Sequence, residues 1–418
     1  MIPLGEVQEA VIGSVTRFVP VELDPADALG LVIAADVVAG GPVPPFANTA
    51  MDGYAVRAAD TAGASRETPA RLRVVGDLPA GHAPTVAVGT GEAIRIMTGA
   101  PIPEGADAIV IVELTERAAD ESLGESGDAV DVFQEAAPGA HIRAAGGDVE
   151  AGELVFPVGT VLGPAHLGVL ASIDVHKVPV FPRARVGVLS TGDELVESGP
   201  LTPGKIRDAN RPMLLALLAR AGMEPVNLGM APDNEDAMTA VLEQALDSCD
   251  AVITSGGVSV GDYDYVSAAL ERIAAADDDD TSRVDWYQVA IRPSKPLCVA
   301  RLRGKPVFGL PGNPVSSRVS FELFARPALL RLMGHTTLHR PEVVARLEHA
   351  MRRKTDGKLH LDRVRVRIDD DGRYVATSAG AQESNALAAT ANANGLVLLP
   401  DGDGVDAGAE VKVMLLES

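Results

Sequence analysis

The sequence predicts a multidomain chain of mixed α/β and β class. A central α/β domain with a mostly parallel sheet flanked by helices follows β-rich modules and precedes a C-terminal all-β domain. Three observations predict this. At 418 residues the chain exceeds the usual span of one domain. From 183 to 334, strand-like and helix-like stretches alternate, as βα units of a parallel sheet do. On either side, at 70–160 and 340–418, apolar and polar residues alternate between Gly and Pro turns.

The apolar share of 46% supports sizeable cores, and with only 3% aromatics these must be mostly Ala, Val and Leu. A net charge of −22 argues against nucleic acid and membrane as partners, since both reward a basic surface. It leaves an anionic small molecule open, because a phosphate needs only a local nest of N–H groups and a few cations. Cys249 and Cys298 stand far apart, which fits a reducing cytoplasm and no disulfide framework. The N-terminus reads as lacking a signal peptide, and no run reaches the length of a membrane span.

Taken in order, residues 1–19 carry a helical apolar pattern through Leu4, Val7, Ala10, Val11 and Val15. Leu31 to Val37 reads as a short strand. Residues 41–57, GPVPPFANTAMDGYAVR, read as a loop whose prolines forbid a ladder and which crowds Asn48, Thr49, Asp52, Gly53 and Tyr54 together; a proline-rich connector is the plainer reading. Strands follow around Leu72–Val75, Glu92–Ile96, Asp107–Val112 and Ala129–Val132. Thr98 sits in a strand-end loop, and Asp148 follows a glycine pair. Leu167–Ala171 is a short helix. Val186–Leu189, Pro225–Leu228, Ala251–Thr254, Asp285–Ile291, Leu297–Leu302 and Val307–Leu310 are strands. Helices are expected from Asn210 to Arg220 with Asn210 as N-cap, after a capping Asp233, over Val266–Ala275, and from Pro311 to near Gly334. In the last block, Arg363–Ile368, Tyr374–Thr377, Gly395–Leu399 and Glu410–Leu416 are strands.

Three strands of the α/β stretch end in loops of one kind: Ser190-Thr191-Gly192-Asp193-Glu194, Ser255-Gly256-Gly257-Val258-Ser259 and Leu310-Pro311-Gly312-Asn313-Pro314. Small residues let a ligand touch backbone, and each loop stands at the carboxyl edge where such sheets bind ligands. One Gly-Gly turn would be an ordinary connector; three at one edge point to a site. Glu194, Asp233, Asp262 and Asp264 are oxygen donors suited to a Mg²⁺ that bridges phosphates, while Asp233 and Asp262 read equally as helix caps. Arg292 and Lys295, either side of Pro293 and Ser294, can pair with phosphates or form an exposed basic turn. No zinc-site, Walker A, GxGxxG or GxSxG pattern is present.

Six segments together closely resemble one family. They are Pro45–Ala55 (PFANTAMDGYA), Met97-Thr98-Gly99-Ala100, Ser190–Leu195 (STGDEL), Asp208-Ala209-Asn210, Ser255–Gly261 (SGGVSVG) and Gly309–Ser316 (GLPGNPVS). The family is MoeA, the molybdopterin molybdenumtransferases, whose animal relative is the E domain of gephyrin. The resemblance implies a four-domain subunit: 20–37 with 153–175 as a linker and dimerisation domain, 38–152 as an inserted β-rich domain, 1–19 with 176–338 as the molybdopterin-binding domain, and 339–418 as a β-barrel-like domain. It implies a cytoplasmic homodimer whose cleft joins one subunit's α/β domain to the Asp52 and Thr98 loops of the other. The implied substrates are molybdate and adenylylated molybdopterin (molybdopterin-AMP), with Mg²⁺ and release of AMP. The molybdopterin adenylyltransferase and apo-molybdoenzymes are implied partners.

By motif match, Asp52, Thr98, Asp148, Glu194 and Asp264 fall at catalytic positions, and Glu194, Asp233 and Asp264 at metal positions, with Asp262 left as a cap. Ser190, Thr191, Gly192, Ser255, Gly256, Gly257, Ser259, Arg292, Lys295, Pro311, Gly312, Asn313 and Pro314 fall at substrate-binding positions, with Ser384, like Arg363, a fainter match. The chain departs from the pattern at Gln288, where a basic residue is usual, and at Ser294, where Gly is usual. Two other readings follow from relatives that share the α/β domain: an adenylyltransferase, which would need residues 183–334 alone, and a non-catalytic scaffold of the gephyrin type.

Overall fold

The computed structural model of the chain describes residues 1–119, 128–257, 265–277 and 281–416. Ser259, Asp262 and Asp264 lie outside the described residues, as does most of the acidic stretch 118–128.

Helix α1 (Leu4–Gly13) buries Val7 and Val11, one turn apart, on its inner face. With Val15 they enter the same core as Val186, Ile253 and Phe308 of the central sheet. The expected strand Leu31–Val37 is two strands, Val32–Ile33 and Val37–Val38. Between them the Ala34 N–H donates to the Pro179 carbonyl and the Asp36 carboxylate accepts from the Val158 N–H, which turns the chain.

A six-stranded sheet follows: β1 (Gly53–Val56), β2 (Ala70–Leu78), β3 (Glu92–Ile96), β4 (Ala108–Ile111), β5 (Thr115–Ala119) and β6 (Asp128–Val132), in the order β4-β1-β3-β2-β6-β5. The segment read as one loop over 41–57 therefore ends in a strand, and all four residues of β1 are buried. Gly53 is needed at its start, because a Cβ there would run into the Val110 carbonyl of β4. Helix α2 (Pro164–Ser172) is the expected short helix.

The central sheet is built in chain order from β7 (Arg185–Thr191), α3 (Asn210–Arg220), β8 (Glu224–Ala231), α4 (Glu235–Ser248), β9 (Ala251–Ser255), α5 (Tyr265–Ala276), β10 (Arg283–Gln288), β11 (Pro296–Leu302) and β12 (Lys305–Leu310). Its order is β8-β7-β9-β12-β11-β10. The pairs β7–β8, β7–β9 and β9–β12 are parallel, and β12–β11 and β11–β10 antiparallel. Successive strand residues feed opposite faces. Val186 and Val188 pack with Leu214 and Leu218 of α3, while Leu189 and Val252 pack with Leu242 of α4 and Leu270 of α5. A mostly parallel sheet covered on both sides is the result, as the alternating pattern predicts.

The expected long helix ending near Gly334 is interrupted. It runs as α6 (Pro314–Ser320), a π-helical turn Phe321–Ala325, and α7 (Arg326–Leu332). Pro327 has no N–H to return to the preceding turn, and the wider π turn takes up the mismatch. That turn buries Glu322 at 2% exposure, where its carboxylate accepts two hydrogen bonds from Arg340 at 2.9 and 3.2 Å.

The last block closes on itself. Strands β13 (Glu342–Leu347), β14 (Leu359–Ile368), β15 (Tyr374–Ser378), β16 (Gly395–Leu399) and β17 (Glu410–Leu415) pair in a ring, β14-β15-β13-β17-β16 and back to β14. Closure leaves no edge within that ring. Leu361, Leu396, Met414 and Leu416 pack into the core of the central sheet, so the barrel is seated on it.

The Glu322–Arg340 pair joins the last helix of the α/β stretch to the segment entering the barrel. Removing one partner leaves a buried charge uncompensated. Glu322→Ala is therefore expected to destabilise the protein by about 3 kcal/mol, read by denaturant unfolding, whereas the exposed pair partner Glu348→Ala should change it by under ~1 kcal/mol.

Candidate active site

The carboxyl ends of β7, β9 and β12 come level. Ser190 pairs with Ser255, and Ser255 with Leu310, across the three strands. The loops that follow therefore emerge side by side and wall one cleft of about 760 Å³. The first loop contributes Thr191, Gly192 and Glu194, the second Ser255, Gly256 and Gly257, the third Pro311, Gly312, Asn313 and Pro314. That volume suits a small ligand. Ser190 is different: it is fully buried and lies beneath the cleft rather than in its wall.

Gly256 has φ 101°, and a Cβ there would meet the Thr191 carbonyl oxygen at 2.9 Å, so both its conformation and its neighbour require glycine. Its N–H donates to the Leu310 carbonyl at 3.0 Å. Of the two glycine N–H groups, only that of Gly257 is without a partner among the described residues.

Two expected helix caps are overturned. Asn210 lies inside the first turn of α3, and its side chain bonds to Ser255 Oγ and the Gly312 carbonyl instead. The N-terminal N–H of Arg211 is taken by Asp208, three residues earlier. Asp233 does not cap α4; Asn234 does, accepting from the Ala237 N–H at 3.0 Å. Asp233 turns to the first glycine loop, where it accepts from Thr191 Oγ1 at 2.9 Å and from the Asp193 N–H at 3.1 Å.

The described wall of the cleft carries three carboxylates, Glu194, Asp208 and Asp233, against one cation, Arg207. Asp208 is paired with the buried Arg211 at 3.0 Å, and Arg211 also reaches Glu197 and Asn227, which anchors the 192–209 segment to the sheet. Glu194 makes no hydrogen bond or ion pair through its carboxylate among the described residues, and Asp233 is bonded only to neutral donors. Two hard oxygen donors thus face the cleft without a compensating side-chain cation. Among the described residues no group of three or more His, Cys, Asp or Glu stands together as a metal site.

Arg292 and Lys295 are exposed on the turn before Pro296; Pro296 lines the cleft and they do not. Ser294, standing where glycine is usual, has φ 76°, which explains the usual residue. Its hydroxyl is hydrogen-bonded to Ser320 Oγ, which helps offset the strain. Ser384 is held by its carbonyl, which accepts from the Val315 N–H, and its neighbour Asn385 reaches the cleft wall. Arg363 is buried, and donates to the carbonyls of Ala381 and Glu383 just before that point.

Asp52, Thr98 and Asp148 belong to the N-terminal β region and do not line this chain's cleft. Asp52 and Thr98 are nevertheless a built pair. Asp52 Oδ1 accepts from Thr98 Oγ1 at 2.6 Å and from the Thr98 N–H at 2.7 Å. These bonds, the side-chain one foremost, hold the exposed Asp52 carboxyl below its ordinary range, with a smaller contribution from the charge of Arg95. Asp148 is exposed, its N–H bonded to the Val43 carbonyl. Sequence reasoning missed Arg207, Asp208 and Asn385 as cleft residues, and missed what Asn210 does there. The only signal for Asp208 and Asn210 was the Asp208-Ala209-Asn210 segment.

A cleft at the carboxyl ends of a doubly covered, mostly parallel sheet, walled by glycine loops and carboxylates, defines a ligand-binding α/β protein. Residues 187–331 match the family model described as "Probable molybdopterin binding domain". The flanks match too: 2–173 the MoeA N-terminal region (domain I and II), and 347–416 the MoeA C-terminal region (domain IV). The chain is 40% identical to Molybdopterin molybdenumtransferase 2 of Mycobacterium tuberculosis, covering 99% of each. It is 36% identical to the molybdopterin molybdenumtransferase of Bacillus subtilis, covering 93% of this chain and 88% of that one. A solved molybdopterin biosynthesis MoeA protein from Pyrococcus horikoshii OT3 superposes with a TM-score of 0.80 at 29% identity, covering 99% of this chain and 100% of that one. The chain belongs to the MoeA family.

Thr98→Val removes the hydroxyl bond to Asp52 and leaves the backbone one. The Asp52 pKa should then rise toward the ordinary aspartate value, read by carbon-detected NMR titration of its carboxyl. Because the folded-state value is depressed, whatever stability the contact gives is present above the unfolded-state value and is lost as pH falls through the folded-state one.

Proposed function

We propose that this chain is a molybdopterin molybdenumtransferase of molybdenum cofactor biosynthesis, which places molybdenum from molybdate into adenylylated molybdopterin and releases AMP. One observation carries the reading: the likeness runs through the N-terminal and C-terminal regions as well as the α/β module. An adenylyltransferase would need the α/β module alone. A pure scaffold would not need Glu194 and Asp233 turned into a cleft, or Asp52 pinned by Thr98.

Donors and carboxylates divide the work. The Gly257 N–H and the Ser255 hydroxyl offer hydrogen bonds to anionic oxygens of the substrate. The uncompensated acidity of the cleft supports a Mg²⁺ held by Glu194 and Asp233, with Asp264 as the third carboxylate that the motif match assigns. When bound, that ion would neutralise phosphate charge that these carboxylates otherwise repel. Asp52, with its lowered pKa, stays ionised and is a poor base, which suits it to orienting rather than abstracting a proton.

The reading includes a homodimer in which the Asp52–Thr98 pair, with Asp148, completes the partner subunit's cleft. In support, these residues are exposed and remote from their own chain's cleft wall. Apolar side chains also stand exposed together on the small sheets between the two regions: Val38 and Leu154 are paired across one ladder, with Val158 and Val161 nearby. Two free, buried cysteines support a reducing, cytoplasmic setting.

Purified protein with adenylylated molybdopterin, molybdate and Mg²⁺ is expected to release AMP; no release, while a known insertase works in the same tube, contradicts the assignment. Glu194→Gln should lower kcat/KM by about tenfold or more (~1.4 kcal/mol) and raise the Mg²⁺ concentration needed for half-maximal rate. For the shared cleft, Asp52→Asn and Glu194→Gln subunits, each impaired alone, should recover part of the lost turnover when mixed into heterodimers; mixtures no more active than the single variants sink the dimeric site.

A further inference from the structure

The second glycine loop depends on a residue outside it. Asn210 lines the cleft, yet it is only 8% exposed. Its Nδ2 donates to the Gly312 carbonyl at 2.6 Å and to Ser255 Oγ at 2.7 Å. The orientation of the amide follows from the first partner: a carbonyl oxygen only accepts, so the NH₂ end must face Gly312. The second hydrogen of that NH₂ then points at Ser255 Oγ, which is forced to accept. Ser255 can donate its own proton only elsewhere, and no other hydrogen bond of this hydroxyl is formed among the described residues. Asn210 Oδ1, meanwhile, is buried without a partner among the described residues. The amide is thus set for what its nitrogen does.

We infer that Asn210 is a positioning residue: it ties the loop after β9 to the loop after β12 and turns the Ser255 hydroxyl proton into the cleft, toward an anionic oxygen of the substrate. A serine left free to rotate can aim its proton at any acceptor; with one lone pair taken by Asn210, this one keeps its proton for another partner. The inference rests on the transferase reading above, whose substrates offer two such oxygens, on the pterin phosphate and on molybdate.

The test is a double-mutant cycle at Asn210 and Ser255. Ser255→Ala and Asn210→Ala should each raise KM roughly tenfold for one substrate, as loss of a hydrogen bond to a charged group does, with kcat changing less. If Asn210 acts through Ser255, the double variant is no worse than Ser255→Ala by more than about twofold. Asn210→Asp keeps the shape but sets a carboxylate against the Gly312 carbonyl and offers Ser255 an acceptor; in the folded variant, checked by its unfolding midpoint, KM should rise as for Asn210→Ala. Whichever substrate carries the rise supplies the oxygen. Effects that multiply in the double variant, a wild-type KM in Asn210→Asp, or no rise for either substrate would overturn the inference. Wild-type protein that releases no AMP overturns the transferase reading instead. The same four proteins are then compared by equilibrium binding of molybdopterin, where the same non-additive pattern is expected and additivity counts against Asn210.

Discussion

One row of backbone pairing organises this protein. Ser190, Ser255 and Leu310 lie in register across three parallel strands, so every loop that leaves that row leaves it at the same height. A slip of one residue in any strand would send its buried side chains to the opposite face, and the two apolar cores, Val188 on one side and Leu189 on the other, forbid it. The cleft is therefore a consequence of core packing beneath it. Close contacts above the row, Gly256 against Thr191 and Asn210 against Gly312, lock the three loops to one another.

Charge gives the cleft its chemistry. In the proposed reading, a chain of net charge −22 would handle anions through neutral donors and two carboxylates joined by a cation, not by surrounding the ligand with basic side chains. The position of Arg292 and Lys295 outside the cleft wall fits that division. Asp52 and Thr98 follow the same logic elsewhere in the chain: a carboxylate is held ionised by two hydrogen bonds rather than by a buried ion pair.

Much of this was legible in the sequence because periodicity and glycine carry local information. The alternation from 183 to 334 predicted the covered, mostly parallel sheet, and the glycine loops stand at the edge where the cleft opens. What was not legible depends on contacts between residues far apart in the chain. Asn210 has the composition of a cap, and only the approach of Gly312, a hundred residues on, shows why its amide faces inward. Asp233 likewise resembles a cap until the first loop arrives beside it. Strand β1 was hidden by the prolines and turn residues that precede it, and the π turn at Phe321–Ala325 by an otherwise continuous helical pattern.

The central claim is that substrate is held at the in-register loop row. A structure of the protein with molybdopterin bound measures this most directly. The account predicts a phosphate oxygen within hydrogen-bond distance of Ser255 Oγ and the Gly257 N–H, with Asn210 still bonded to both loops. Molybdopterin bound away from that row, or phosphate oxygens held by Arg292 and Lys295 instead, would contradict it.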